Sequence, residues 1–301
     1  MKKSLLLFVV MIMMAAFSQV FAQDPAMHGP PKVLYVVRED IKPGMMGAHS
    51  KHSANYANIF RTLDTPNHRI ALVPVAGSEN EVVYITGCDS FKELEDILNA
   101  TDKKMAAVSG NMKAELDRLE KEAPVLHAAM RDMFAAFRPD LSYNAGVDVR
   151  TMRYFSITTT RIKPGHDAEY AEYVGKMINV AQKAKLDNFH LAAFQVVTGA
   201  PGGTYLFFRP MKSLAELDEP TGMKMRVAMG DDMRKDADKA VSDAVMSSET
   251  STYWMTPAMS YVEKDFAAGD PAFWNPKPAM KAKPRPKKKM TKPVAPPPPT
   301  D

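Results

Sequence analysis

A chain of 301 residues, 46% of them hydrophobic and with a formal charge of +4, is long enough for two packed domains and too apolar to be disordered throughout. The basic excess sits at the ends: residues 277–301 hold eight Lys and Arg against one acid, and Lys2 and Lys3 stand at the start, which leaves residues 23–276 at about −5. That balance excludes a nucleic-acid-binding body, which needs a basic face, and the single cysteine, Cys88, excludes an intrachain disulfide.

The chain opens with Met1-Lys2-Lys3, an apolar run from Leu5 to Phe17 and the sequence Val20-Phe21-Ala22. This charged, apolar, small-residue order is that of a secretory leader, so residues 1–22 are expected to be removed and the protein to be periplasmic or secreted. The run is shorter than the ~20 residues of a spanning helix. Residues 23–31 read as a linker.

A β-rich segment, Val33 to Glu39, then reaches Ile41-Lys42-Pro43-Gly44, where proline presets φ and glycine permits the reversal. An amphipathic helix is expected over Met46 to Leu63, and strands Arg69 to Val75 and Val82 to Gly87 follow as a hairpin. Cys88, on that last strand, reads as a small buried hydrophobe. Met105, Val108, Met112, Leu116 and Leu119 recur at three- and four-residue steps and predict a second helical region. Pro124 should interrupt it before Leu126, Met130, Met133 and Phe137 continue the stripe, with His127 on the partly exposed side. Pro139 to Tyr143 is expected to close the unit as a short strand.

The order then starts again. Ile162-Lys163-Pro164-Gly165 repeats the turn 121 residues on, and the same ungapped shift relates Asn58 to Asn179, Ala71 to Ala192 and Tyr84 to Tyr205. The second series runs Arg153 to Thr160, Asp167 to Ala184, His190 to Val197, Thr204 to Phe208, a helical region around Met229 and Met233, and a closing segment Pro257 to Tyr261. The expected fold class is α+β: two tandem ferredoxin-like β-α-β-β-α-β units, residues 32–146 and 147–266. Each unit leaves an apolar sheet face uncovered. Two in one chain bury those faces as an intrachain pseudo-dimeric α/β barrel, so a monomer or a weak homo-oligomer is expected. Residues 267–301, rich in Pro and Lys, are expected to form a disordered tail able to hold an anionic envelope polymer.

The strand, Lys-Pro-Gly turn and amphipathic helix at 33–63 and 152–184, with the hairpins that follow, resemble the dimeric α/β-barrel superfamily, including antibiotic-biosynthesis-monooxygenase-like (ABM-like) and NIPSNAP-like domains. The resemblance covers most of 32–265 and implies a pocket between sheet and helices in each half. It also implies a range of activities, from cofactor-independent oxygenases and isomerases to proteins without catalysis. The Asn on the first strand that marks its haem-degrading branch is met by neither Val33-Leu34-Tyr35-Val36-Val37 nor Tyr154-Phe155-Ser156-Ile157-Thr158.

The first helix of each unit carries the candidate residues. Met45, His49, His52, Tyr56, Ile59 and Leu63 fall on one helical face, and the matching face of the second unit holds Tyr170, Tyr173, Met177, Val180 and Ala184. His49 and His52 are the candidate catalytic residues, since a neutral imidazole moves protons near neutral pH. Tyr56, Asn58, Tyr170, Tyr173 and Asn179 are the candidate ligand-binding residues, offering hydrogen bonds to a substrate oxygen. A two-histidine metal site is not expected, because no carboxylate lies nearby in sequence to complete it, and no cofactor is expected. The sequence favours a module binding a small apolar or aromatic molecule. A cofactor-independent monooxygenase and an envelope scaffold working through the basic tail are the alternatives.

Overall fold

The computed structural model describes residues 29–275; the expected leader and the basic stretch from 276 lie outside the described residues. Eight antiparallel strands close into one barrel in the order β1-β3-β2-β8-β5-β7-β6-β4. They are β1 (Val33–Ile41), β2 (Ile70–Ala76), β3 (Glu81–Cys88), β4 (His127–Phe137), β5 (Tyr154–Ile162), β6 (Ala192–Thr198), β7 (Thr204–Met211) and β8 (Val245–Met255). The first four run β4-β1-β3-β2 and the last four β8-β5-β7-β6, the same order, and the halves join where β2 meets β8 and β4 meets β6.

Alternation along the strands sorts the side chains. Leu34, Val36, Leu72, Val83 and Ile85 of the first half share one core with Phe155, Ile157, Phe194, Leu206 and Phe208 of the second. The alternate residues, such as Ile41, Ala71, Val82 and Tyr84, form a separate cluster toward the helices. The helices are α1 (Met46–Leu63), α2 (Phe91–Ala106), α3 (Gly110–Leu126), α4 (Asp167–Lys183), α5 (Thr221–Met229), α6 (Asp231–Ala244), α7 (Lys264–Ala268) and α8 (Pro271–Trp274). The Lys-Pro-Gly turns form as expected, with Gly44 at φ +80° and Gly165 at φ +85°, values a side chain would disfavour.

Three expectations are corrected. The stripe Leu126, Met130, Met133, Phe137 is not helical beyond Leu126: His127–Phe137 is strand β4, paired with β1 along its length. Its Ala- and Met-rich composition suits a helix, and the ladder overrides that preference. Pro124 lies within the last turn of α3 instead of breaking it midway. The fourth strands are therefore β4 and β8, while Pro139–Leu141 and Pro257–Met259 are single 3-10 turns. Each turn crosses to the other half, where Tyr143 bridges to Leu191 and Tyr261 to Arg69. Third, the packed body continues past residue 266: α7 and α8 lie on the barrel, with Trp274 buried in the shared core and donating from Nε1 to the Arg150 carbonyl at 2.8 Å.

The ungapped repeat also needs adjusting. Ala71 pairs with Tyr84 in the first half, and the same ladder position in the second pairs Ala193 with Phe207, so the counterpart of Tyr84 is Phe207 rather than Tyr205. On β2 the slip is one residue, from Ala192 to Ala193, which exchanges the faces, and on β3 it is two, which keeps them.

Candidate functional site

The sheet's outer face and the helices of the first half enclose a polar cluster. α1 brings down His49 (fully buried), His52 (4% exposed), Ser53 and Tyr56, one helical turn apart. β1 contributes Glu39, β3 contributes Tyr84, and α3 contributes Glu122. His127 is the first residue of β4, and a register shift between Asp40 and Ile41 sets it opposite Ile41. Such a bulge re-aims the side chain, here onto the outer face that carries Glu39.

His49 Nε2 lies 2.7 Å from Glu39 Oε2, and His127 Nε2 lies 3.5 Å from the same oxygen. The His49 and His127 ring centroids are 5.1 Å apart, and His52 stands 6.4 Å from the first and 6.0 Å from the second. Ser53 Oγ bonds the Tyr84 hydroxyl at 2.5 Å and reaches His49 Nε2 at 3.4 Å. His52 Nδ1 is 3.5 Å from Glu122 Oε2, and its ring meets Tyr56 edge-on at 5.1 Å. His49 Nδ1 is buried without a hydrogen bond among the described residues, while His52 Nδ1 and His127 Nε2 have only the 3.5 Å approaches of Glu122 and Glu39.

The charges of these groups follow from their surroundings. Burial alone would raise the Glu39 pKa, but the His49 hydrogen bond, with the cationic Arg69 nearby, outweighs it and lowers it, so Glu39 is a carboxylate. Burial lowers the pKa of both His52 and His127, opposed by Glu122 in the first case and Glu39 in the second. Both are neutral at pH 7 and free to accept a proton. Burial raises Tyr56 and Tyr84, which stay protonated as donors. The Arg69 guanidinium sits over the Tyr84 ring at 4.5 Å.

The second half builds the same place from other residues. By ladder position and helical register, Glu39, His49, His52, Ser53 and His127 correspond to Thr160, Tyr170, Tyr173, Val174 and Val245. Tyr170 packs with Val174, Phe207 and Ala193 in an apolar cluster, and burial pushes its pKa up to about 12.

The nominated residues therefore divide. His49, His52 and Tyr56 come together; Tyr170 and Tyr173, 6.1 Å apart, belong to the other half's cluster. Asn58 and Asn179 are exposed, and Asn58 Oδ1 accepts from Arg61 Nη1 at 2.6 Å, away from the histidine cluster. The view that no carboxylate completes a histidine pair is corrected, since β1 supplies Glu39. Sequence spacing missed Glu39, His127, Glu122 and Arg69. The available signal was Glu39 just before the Lys-Pro-Gly turn, at the foot of the helix carrying His49. A hollow of about 480 Å³ opens in the second half between Met152, Lys185, Phe189, Arg209, Lys212 and Lys224, and none of the nominated residues lines it.

No family model matches the chain, and no curated protein matches its sequence. Solved structures of similar shape include an anthrone oxidase-like protein, with a TM-score of 0.48 and 14% identity over 76% of this chain and 94% of that one. A candidate monooxygenase from Fusobacterium nucleatum subsp. nucleatum ATCC 25586 gives 0.45 and 11% over 76% and 94%. Chlorite dismutase from Candidatus Nitrospira defluvii, in complex with imidazole, gives 0.42 and 8% over 76% and 92%. These are likenesses of fold alone, and no residue role passes across them. What the chain itself displays is an α+β fold, a closed eight-stranded antiparallel barrel with helices outside it.

Proposed function

We propose that this chain is an enzyme of the monooxygenase type that takes a proton from a small aromatic or phenolic molecule at the first-half site, with His52 as proton acceptor and Tyr56 orienting the substrate oxygen. The difference between the halves carries the reading. The second half fills the corresponding places with Thr160, Tyr170, Tyr173, Val174 and Val245, so the fold does not require buried ionisable groups there. The first half keeps Glu39, His49, His52 and His127 together, with His49 Nδ1 left without a hydrogen bond among the described residues. Leaving a buried polar group unsatisfied costs about 1–3 kcal/mol. Chemistry explains that cost and packing does not.

In this scheme neutral His52 removes a proton from a phenolic O–H or an activated C–H, and the Glu122 and Glu39 carboxylates steady the imidazolium that forms. The substrate anion then reacts with dioxygen; a methylene becomes a carbonyl, one oxygen atom entering the product and the other leaving as water. The halves are read as repeats of one ferredoxin-like unit, supported by their shared strand order. Export, and a polymer-holding role for the basic tail, rest on the sequence alone.

The test is oxygen uptake by the full chain with hydroxyanthrone and quinol probes. His52→Ala is expected to lose about 10²- to 10⁴-fold in rate, while Tyr170→Phe keeps it. Uptake no faster than buffer, or uptake unchanged in His52→Ala, ends the proposal. The hollow beside Phe189 and Arg209 favours a second reading, binding without turnover. Retention of an aromatic carboxylate there, lost in Arg209→Met, would support it.

A further inference from the structure

We infer that Glu39, His49 and His127 form a binding site for a divalent transition-metal ion of the zinc or ferrous class. The inference goes beyond the proton-transfer reading, because these three ligands would hold an ion whether or not His52 takes a proton.

One carboxylate oxygen and two imidazole nitrogens lie within 4.8 Å of one another, from β1, α1 and β4. Two histidines and one carboxylate make the donor set that zinc and non-haem iron sites use, whereas magnesium and calcium select all-oxygen sets. Metal bonds of about 2.0–2.1 Å set tetrahedral donors about 3.3 Å apart. The 3.5 Å between His127 Nε2 and Glu39 Oε2 fits that spacing, and the 2.7 Å pair of His49 and Glu39 opens by a small turn of the carboxylate.

His127 Nε2 is buried and aimed at Glu39 Oε2 from 3.5 Å without a hydrogen bond, a spacing that an ion between the two would fill. Two of the three ligands are fixed by the β1–β4 ladder and its bulge, which holds them without a flexible loop. The His52 ring, 6.4 Å and 6.0 Å from its neighbours, lies beyond the first coordination sphere. Three protein donors leave one position of a tetrahedral site for water or a substrate oxygen. In the second half Thr160, Tyr170 and Val245 replace the trio, so one ion per chain is expected.

The experiment takes the full chain, stripped with a chelator, and titrates it with Zn²⁺ by calorimetry and with Co²⁺ by visible absorption. One ion per chain is expected, with a rise in thermal midpoint and the absorption bands of a cobalt site with few ligands. Glu39→Gln and His127→Ala should each weaken binding by about 100-fold or more, beyond the 10- to 100-fold typical of outer-shell losses. The surface variant His166→Ala should bind as wild type. Glu39→Gln keeps the shape of the side chain and carries the test if His127→Ala fails to fold. No uptake by wild-type protein that is folded by circular dichroism overturns the site, as does equal uptake by wild type and Glu39→Gln. Metal binding without proton-transfer activity would sustain this inference and end the other.

Discussion

Arg38 Nη2 donates to Thr159 Oγ1 at 3.1 Å, and the two residues are 121 positions apart, so each holds the other's place in its own half. The contact joins β1 to β5 across the barrel. Arg38 also pairs with Glu81 at 3.1 Å, and the Tyr253 hydroxyl donates to the same carboxylate. Charge inside the barrel thus links strands of both halves.

Arg38→Met is expected to lower stability by about 3–5 kcal/mol, because it leaves the buried Glu81 carboxylate short of its cation. Arg131, 3.6 Å away but 57% exposed, replaces it poorly. Adding Glu81→Leu should recover most of the loss. Urea unfolding of the single and double variants decides; a single variant as stable as wild type would contradict the argument.

Gly199, just after β6, sits at φ +90°, and a Cβ there would lie 2.1 Å from the Asp132 carbonyl oxygen and 2.6 Å from Met133 Cα. Both atoms belong to β4, the neighbouring strand at the seam between halves. Gly199→Ala should therefore cost more than about 1 kcal/mol. Gly202→Ala, with open space around it, should stay within about 0.5 kcal/mol of wild type. Thermal melts of the pair test it.

Trp274→Ala should cost about 3–5 kcal/mol, the range for removing a large aromatic side chain from a core. A chain ending at residue 275 should match the full chain, and one ending at 266 should not. Equal melting midpoints for all three would return these residues to the tail.

Burial pushes the Cys88 thiol up to about 11. Only ~0.1% would be thiolate at pH 8, so a disulfide reagent should react far more slowly than with unfolded chain. Between pH 8 and 10 the rate should rise about tenfold per unit, since the folded pKa lies above that window. Rapid reaction at pH 8 with folded protein would show the site to be open.

Much of the frame was legible because it is local. The Lys-Pro-Gly turns, α1 and the hairpins each carry their own periodicity or turn chemistry. β4 was not legible, since His127–Phe137 reads as helix until β1 is laid beside it. β8 was missed because its Ser- and Thr-rich face is polar; its partners are hydroxyls on β5, such as Thr158 against Thr250 at 2.7 Å. The site divides likewise. His49 and His52 share a helix and announce themselves by spacing, while Glu39 and His127 meet them only through the ladder and its bulge.

The position of Trp274 bears on how the molecule assembles. β2 finds its outer neighbour only in β8, and the core is plugged by an indole almost at the close of the described chain. The first half must wait, its inner surface unsealed, until residues as far along as Trp274 can reach it. A chain cut short before β8 would thus present an unclosed sheet with unpaired edges.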